Sequence, residues 1–392
     1  MEEIDKSAEI MEKPETSPET IEPAKQPDAV AKTEISCSRG LAAWLRAQNL
    51  SLAFTSYQTG LLYLVGAQPN GVLSVNQIGF ARAMGLWATA QRIYLAVNAQ
   101  VWRLENMLRS GQFANQHFDR CYIPRNSQAT GEIDLHELAV QPSGRVVFVN
   151  TAFSCLAEFD KTHSFRPIWK PPFISKLAPE DRCHLNGLCM EEGKPRYVTA
   201  VCRSDIINGW RDRRAESGII IDLATDQVLT EQLSMPHSPR LWNGALWVLD
   251  SGRGFLCRVD RKSGKLTQHA FLPGFLRGLA FYGNSAVVGL SLPRDKTFSG
   301  LDLDANLKAR DGEPWCGIQV IDLNTGDVQQ WLRLEGQVRE LFDVAVLPGV
   351  RCPMGVSPQS REFATTISRV EEFGSLDGVG EPPPVLARAS AA

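Results

Sequence analysis

One pattern recurs along the chain and limits what it can fold into: a short apolar strand, a polar or glycine turn, then a second strand ending in an apolar and an acidic residue. The clearest copies are GIIIDLATDQV at 218–228, GFLCRVDRKSGKL at 254–266 and GIQVIDLNTGDV at 317–328, with weaker ones at 155–165 and 100–111. In each clear copy a turn sequence (ATDQ, RKSG, NTGD) follows the acidic residue, directly or after one leucine. Asp, Asn and Gly tolerate the backbone angles a tight hairpin demands, so these are hairpin signals. In front of each copy lies another strand (RIYLAV at 92, RVVFVN at 145, RYVTAV at 196, ALWVLD at 245, SAVVGL at 285). Ahead of that comes a segment with a polar head and a small apolar end (ARAMGLW at 81, DLHELAV at 134, HLNGLCM at 184, HSPRLW at 237, LRGLAF at 276). Head strand, middle strand and outer hairpin make a four-stranded propeller blade, a unit of about 40–50 residues.

Five such units run from residue 79 to about 335, and the ends supply two halves of another. VRELFDVAVL at 338–347 reads as a head strand with no hairpin after it, and SLAFTSYQTGLLYLVG at 51–66 as a hairpin with no head. Joining them closes the ring and hides both sheet edges, which would otherwise template aggregation. The sequence therefore predicts an all-β chain forming a single β-propeller of six blades over residues 45–353, closed by pairing the N-terminal strands with the last C-terminal strand. Residues 1–44, acidic and proline-bearing, and 354–392 are expected to be mostly disordered, because they carry too little apolar surface to offset the entropy of ordering. Residues 301–312 (LDLDANLKARDG) lack the glycine and terminal glutamate of a calcium loop and read as a solvated loop.

Composition narrows the function classes. Of the 392 residues, 43% are hydrophobic and 22% charged, with a formal net charge of −3, and no basic stripe interleaves with aromatics. Nucleic acid is not an expected partner. There is no secretory leader and no apolar run near the roughly 20 residues a membrane helix needs, so a cytoplasmic protein without membrane contact is expected. Nine cysteines without a CxxC pair read as reduced thiols packed as small hydrophobes.

The strings FVNTAFSCLAEFD, WKPPFISKLAPEDRCHLNGL, LSMPHSPRLWNGALWVLDSG, FLPGFLRGLAF and LFDVAVLPGVRCP together resemble an uncharacterised, mostly bacterial family, domain of unknown function 4915. The resemblance spans about 50–353. It implies kinship and carries no catalytic residue, since the family has no assigned activity. A wider likeness to lactonase-type and sugar-epimerase-type propellers is an analogy of fold and licenses no function.

In a propeller the head strands line the central channel and begin at its mouth, so their leading residues converge from distant parts of the chain. These are Asp134 and His136, His184 and Asn186, His237 and Arg240, Arg277, then Glu340 and Asp343. Three neutral imidazoles facing one axis suit Zn, Mn or Fe, with His136, His184 and His237 as ligands and Asp343 or Glu340 as a further ligand or a base. Without metal, His136, His184, His237 and Asp343 are the candidates for proton transfer. Arg240, Arg277 and Arg82 suggest an anionic ligand, contacted also by Asp134, Asn186 and Glu340, or else ion pairs among themselves. Loops after the middle strands (Asn150 and Thr151, Arg203 and Asp205, Asp250 and Ser251, Ser291 and Arg294) are candidates for a second face, and Trp169 and Trp210, in insertions, for covering a ligand. Cys183 adjoins His184, but neighbours on a strand point to opposite faces, which argues against a cysteine nucleophile. Two functions follow: a propeller binding a small polar or anionic molecule at the axial mouth, with hydrolase, lyase or isomerase chemistry as enzymatic options, or a non-catalytic platform for a protein or peptide.

Overall fold

The computed structural model describes residues 33–293, 300–369 and 385–388. Six sheets stand in a ring and form the six-bladed propeller that the repeats predict. From the axis outward, blade 1 runs Leu86–Ala88, Arg92–Ala96, Gln100–Asn106, Arg120–Ala129, and blade 2 runs Leu135–Val140, Val146–Asn150, Cys155–Glu158, Arg166–Trp169. Blade 3 is Leu185–Glu191, Lys194–Ala200, Gly218–Asp222, Gln227–Leu233, and blade 4 is Pro236–Trp242, Ala245–Asp250, Phe255–Val259, Leu266–Phe271. Blade 5 is Phe275–Tyr282, Ser285–Ser291, Cys316–Asp322, Val328–Glu335.

Blade 6 closes the ring as expected. Its inner strand is Val344–Pro348, and its other three, Leu50–Ser56, Leu61–Ala67 and Leu73–Gly79, come from the N-terminal side. Phe54 stands opposite Val344 and Leu50 opposite Pro348. Each inner strand abuts the next, with blade 6 meeting blade 1.

The core lies between blades rather than at a single centre. Trp247, Leu249 and Leu256 of blade 4 pack against Leu276, Leu279, Val288 and Leu290 of blade 5, and Leu52, Phe54, Tyr63 and Val65 of blade 6 meet Val287, Ile318 and Val320 of blade 5. A middle strand is thus covered on both faces, and all seven residues of Leu50–Ser56 and of Ser285–Ser291 are buried. That double burial explains why these strands read as apolar runs instead of alternating. All nine cysteines are free, and eight are buried.

The ordered body extends past the expected boundaries at both ends. Glu34–Cys37 adds a fifth, antiparallel strand to blade 5, and helix Leu41–Gln48 tucks Leu41 and Leu45, four residues apart on one face, against the seam of blades 5 and 6. After the ring closes, Pro353–Gly355 adds a parallel fifth strand to blade 1. Helix Arg361–Thr365 follows, capped by the Ser360 hydroxyl accepting from the Phe363 N–H, and Thr366–Arg369 pairs with Val385–Arg388. Residues 34–44, 354–369 and 385–388 are therefore structured, contrary to the tails read from composition; residues 1–32, 370–384 and 389–392 of those tails lie outside the described residues. Asp302–Lys308 is a helix rather than a solvated loop, because Leu303 and Leu307 bury on one face. No helix among the described residues is long and apolar enough to cross a membrane.

Candidate functional site

At one end of the axis the loops and inner-strand starts of several blades surround a cavity of about 190 Å³. Asp134, His136, His184 and Arg277, four of the residues read from the repeats, line it together with Arg82. Tyr57, Asp181, Trp210, Arg211, Met235 and Phe342 complete the wall. Five of these eleven residues (Arg82, Asp134, Asp181, His184 and Met235) have positive φ, between 42° and 55°. Side chains with a Cβ resist that conformation, and such strain concentrates where a site must be shaped.

Each mouth histidine is fixed through Nδ1. His136 Nδ1 lies 3.0 Å from the Asp134 carbonyl and 2.8 Å from Thr151 Oγ1, and the Thr151 hydroxyl donates to the Leu185 carbonyl. A carbonyl only accepts, so the proton sits on Nδ1, and burial pushes the ring down to about 4, which keeps it neutral. His184 Nδ1 lies 2.9 Å from the Asp181 carboxylate, whose Oδ2 also accepts from Trp210 Nε1 at 2.7 Å. The Trp210 ring covers His184 at 4.2 Å between centroids, and His136 meets His184 edge to face at 4.9 Å.

Arg277 differs from the other cations of the wall. Arg82 is 3.6 Å from Asp134, and Arg211 stacks on Trp210 while bonding Asn208. Arg277 is 9% exposed and rests over the Phe342 ring at 4.5 Å, and its guanidinium makes no hydrogen bond or ion pair among the described residues; its Nε is fully buried. Burial lowers its pKa, although Glu340, Asp134 and Asp343 counter that from a distance.

The family model described as "Domain of unknown function (DUF4915)" matches residues 39–356, a span that holds all six inner strands. The chain belongs to the DUF4915 family. No curated protein matches this DUF4915 chain. Among solved structures, a chain of the crystal structure of the nidogen/laminin complex is similar over 77% of this chain and 100% of its own length, at 12% identity and a TM-score of 0.48.

The remaining predicted residues of the DUF4915 ring fall away from the mouth. His237 does not line the cavity. It repeats the His136 arrangement, with Nδ1 2.8 Å from the Met235 carbonyl and 3.1 Å from Ser251 Oγ, and its Nε2 is buried with no hydrogen-bond partner among the described residues. The three-histidine metal set is therefore not assembled: among the described residues no group of three or more His, Cys, Asp or Glu is placed to hold an ion. Asn186 turns into its own blade, where its Oδ1 accepts from the Thr199 hydroxyl. Glu340 accepts from the Tyr57 hydroxyl at 2.6 Å and so holds a wall residue in place without lining the cavity.

Arg240 and Asp343 belong to a buried layer of the channel. At equivalent positions of the six inner strands, just before Leu86, Leu138, Leu188, Leu241, Leu279 and Val344, stand in ring order Gly85, Glu137, Gly187, Arg240, Gly278 and Asp343, so glycine alternates with a charged residue. Arg240 Nη2 pairs with Glu137 and approaches Asp343 at 3.9 Å, while its Nε donates to the Leu279 carbonyl at 3.0 Å. Glu137 accepts the Leu188 N–H, and Asp343 Oδ2 accepts the Leu86 N–H at 2.8 Å. Three side chains thus touch all six blades. The glycines make the room: a Cβ on Gly278, whose φ is 80°, would stand 2.5 Å from the Val344 nitrogen, and one on Gly85 would stand 2.6 Å from the His136 carbonyl. Arg240 and Asp343 act here as a plug that ties the ring, not as ligand contacts.

The loops after the middle strands orient rather than bind. Thr151 and Ser251 hold the two histidines, Asn150 Oδ1 accepts the Phe153 N–H, Asp250 accepts the Ser234 N–H, Asp205 takes Arg182 and Ser175, and Ser291 bonds Leu341. Arg203 leans toward the Phe173 ring instead of the mouth. Arg294 lies outside the described residues. Trp169 is in the outer strand of blade 2, bonded to Asp226, whereas Trp210 does cover the site. Cys183 is fully buried, and burial pushes its thiol up to about 12, the opposite of what a nucleophile needs. Among the residues the repeats did not single out, Tyr57 follows the middle strand of blade 6, the position Thr151 and Ser251 hold in theirs, and Asp181 stands three residues before His184.

Proposed function

We propose that the axial mouth binds a small anionic molecule through Arg277. The supporting observation is a guanidinium nine-tenths buried and without a hydrogen bond among the described residues, in a cavity whose other cations have partners. Desolvating a charge is costly unless it is paired, and a ligand carboxylate or phosphate restores the pairing that the protein withholds. The cavity is smaller than the roughly 300–1,000 Å³ typical of drug-sized ligands, which points to a metabolite-sized molecule. His184, oriented by Asp181, gives the site a base of the kind that hydrolase, lyase and isomerase chemistry requires.

The platform reading has one observation in its favour, since Ile206 and Ile207 are 61% and 59% exposed on the 203–217 insertion that also carries Trp210. Calorimetric titration of propionate and of inorganic phosphate into the wild type and Arg277→Gln separates the two. We expect at least one anion to bind and to weaken by about tenfold or more in the variant, the loss of one charge-assisted contact of about 1.5–3 kcal/mol. Circular dichroism and melting should be unchanged. Absence of any binding to the wild type, or equal binding to both proteins, would exclude Arg277 as an anion anchor and leave the platform.

A further inference from the structure

The mouth carries two acceptors as well as a cation, and together they narrow the ligand class. His136 Nδ1–H donates to the Asp134 carbonyl and His184 Nδ1–H to the Asp181 carboxylate, both of which can only accept. A ring protonated at Nδ1 alone carries its lone pair on Nε2, and neither Nε2 makes a hydrogen bond among the described residues, while both rings line the cavity. A ligand that satisfies this wall must offer a negative group to Arg277 and hydrogen-bond donors to two imidazole nitrogens close beside each other, the ring centroids being 4.9 Å apart.

The charge of the wall sets the size of the anion. Among the lining side chains Arg82, Arg211 and Arg277 face Asp134 and Asp181, three cations against two carboxylates, and the Glu340 carboxylate behind Tyr57 also acts on Arg277, so the wall has no charge to spare for a dianion. A single planar guanidinium without a hydrogen-bond partner among the described residues matches a single carboxylate fork, and a phosphate dianion would add repulsion from Asp134 and Asp181. From these features we infer that the site takes a hydroxy acid, a carboxylate next to carbons bearing hydroxyl groups, with the carboxylate on Arg277 and hydroxyl protons donated to His136 Nε2 and His184 Nε2. This inference rests on the anion-binding reading above and goes beyond it in assigning selectivity to the two histidines.

Asp181 is the positioning residue for that selectivity. It fixes the His184 tautomer while Trp210 Nε1 donates to its other side. In Asp181→Asn the amide oxygen still accepts from Trp210, and the amide nitrogen now faces His184 Nδ1 as a donor. The ring proton then moves to Nε2, and an acceptor for ligand hydroxyl becomes a donor at nearly unchanged shape.

The test titrates propionate, lactate and glycerate, acids with zero, one and two hydroxyls on the same three-carbon frame, into the wild type, Asp181→Asn and Arg277→Gln by calorimetry, with inorganic phosphate alongside. Each hydroxyl bonded to a buried acceptor is expected to strengthen binding several-fold, so that glycerate binds the wild type about tenfold or more tightly than propionate. In Asp181→Asn that ratio should fall to within about threefold, with propionate binding retained. If propionate binds as well as glycerate and depends on Arg277, the hydroxy-acid assignment is wrong and the anion site stands. A glycerate preference that survives unchanged in Asp181→Asn also overturns it, because the tautomer then does not set the preference. If no acid binds, or phosphate alone does, the carboxylate assignment fails outright.

Discussion

Arg240→Met should lose about 3–5 kcal/mol of stability, the typical result of removing one partner from a buried ion pair. Glu137 and Asp343, 4% and 2% exposed, would be left as two buried carboxyl groups with no cation, and the Leu279 and Leu188 carbonyls would lose their donor. Urea unfolding followed by tryptophan fluorescence measures the effect, and a loss under about 1 kcal/mol would mean the layer is peripheral to ring stability. Because desolvation of the trio offsets much of its attraction, replacing all three by apolar residues of similar volume (Glu137→Leu, Arg240→Met, Asp343→Leu) is expected to recover most of the loss. A triple variant weaker than Arg240→Met would contradict that account.

Removing the proton of Asp343 gives the other large effect. Burial, and then the neighbouring Glu137 charge, push its carboxyl up to about 7 from an ordinary 3.8. Between those values the folded protein holds a proton that the unfolded chain has released, so this contribution to stability is complete below about pH 4 and is lost as pH rises through about 7. From pH 5 to pH 8 the loss amounts to about 2–3 kcal/mol. His136 and His237, pushed down by burial, act with the opposite sign: their stabilisation is present above their ordinary 6.5 and disappears as the solution is acidified. Asp343→Asn keeps both histidines, so the difference between wild type and variant isolates the carboxyl. Urea midpoints at pH 5 and pH 8 should show the wild type losing ground to Asp343→Asn as pH rises, and parallel pH dependence in the two proteins would refute a proton retained on Asp343.

The ring was legible because a blade is a local unit. RKSG just after Asp260 and NTGD one residue beyond Asp322 mark hairpins within about a dozen residues, and the unpaired halves at 51–66 and 338–347 could belong only to each other once five blades were counted. Helix Leu41–Gln48 escaped notice because its apolar residues run almost continuously from Leu41 to Leu45, and the face that buries, Leu41 and Leu45, does not stand out as a period. The mouth was half legible. Asp134, His136, His184 and Arg277 lead their strands and meet as expected, but depth along the axis depends on bulges that the sequence does not display. The inner strand of blade 4 slips register between His237 and Arg240, and that of blade 5 between Leu276 and Leu279. One residue of slip separates a wall residue such as Arg277 from a plug residue such as Arg240. Asp181 and Trp210 were harder still, because their roles come from a loop folding back onto His184, a contact with no repeat to announce it.

The join in blade 6 also has a temporal meaning. Strand Leu50–Ser56 is among the earliest made, yet its inward neighbour begins at Val344, 288 residues after Ser56 (344 − 56). At about 5–20 residues per second, a ribosome needs roughly 15–60 s to cover that distance. For all that time the nascent chain displays an apolar strand edge with nothing to pair with, a period in which chaperone protection matters more than native stability, and a stall before residue 348 would leave a nearly finished toroid open and adhesive.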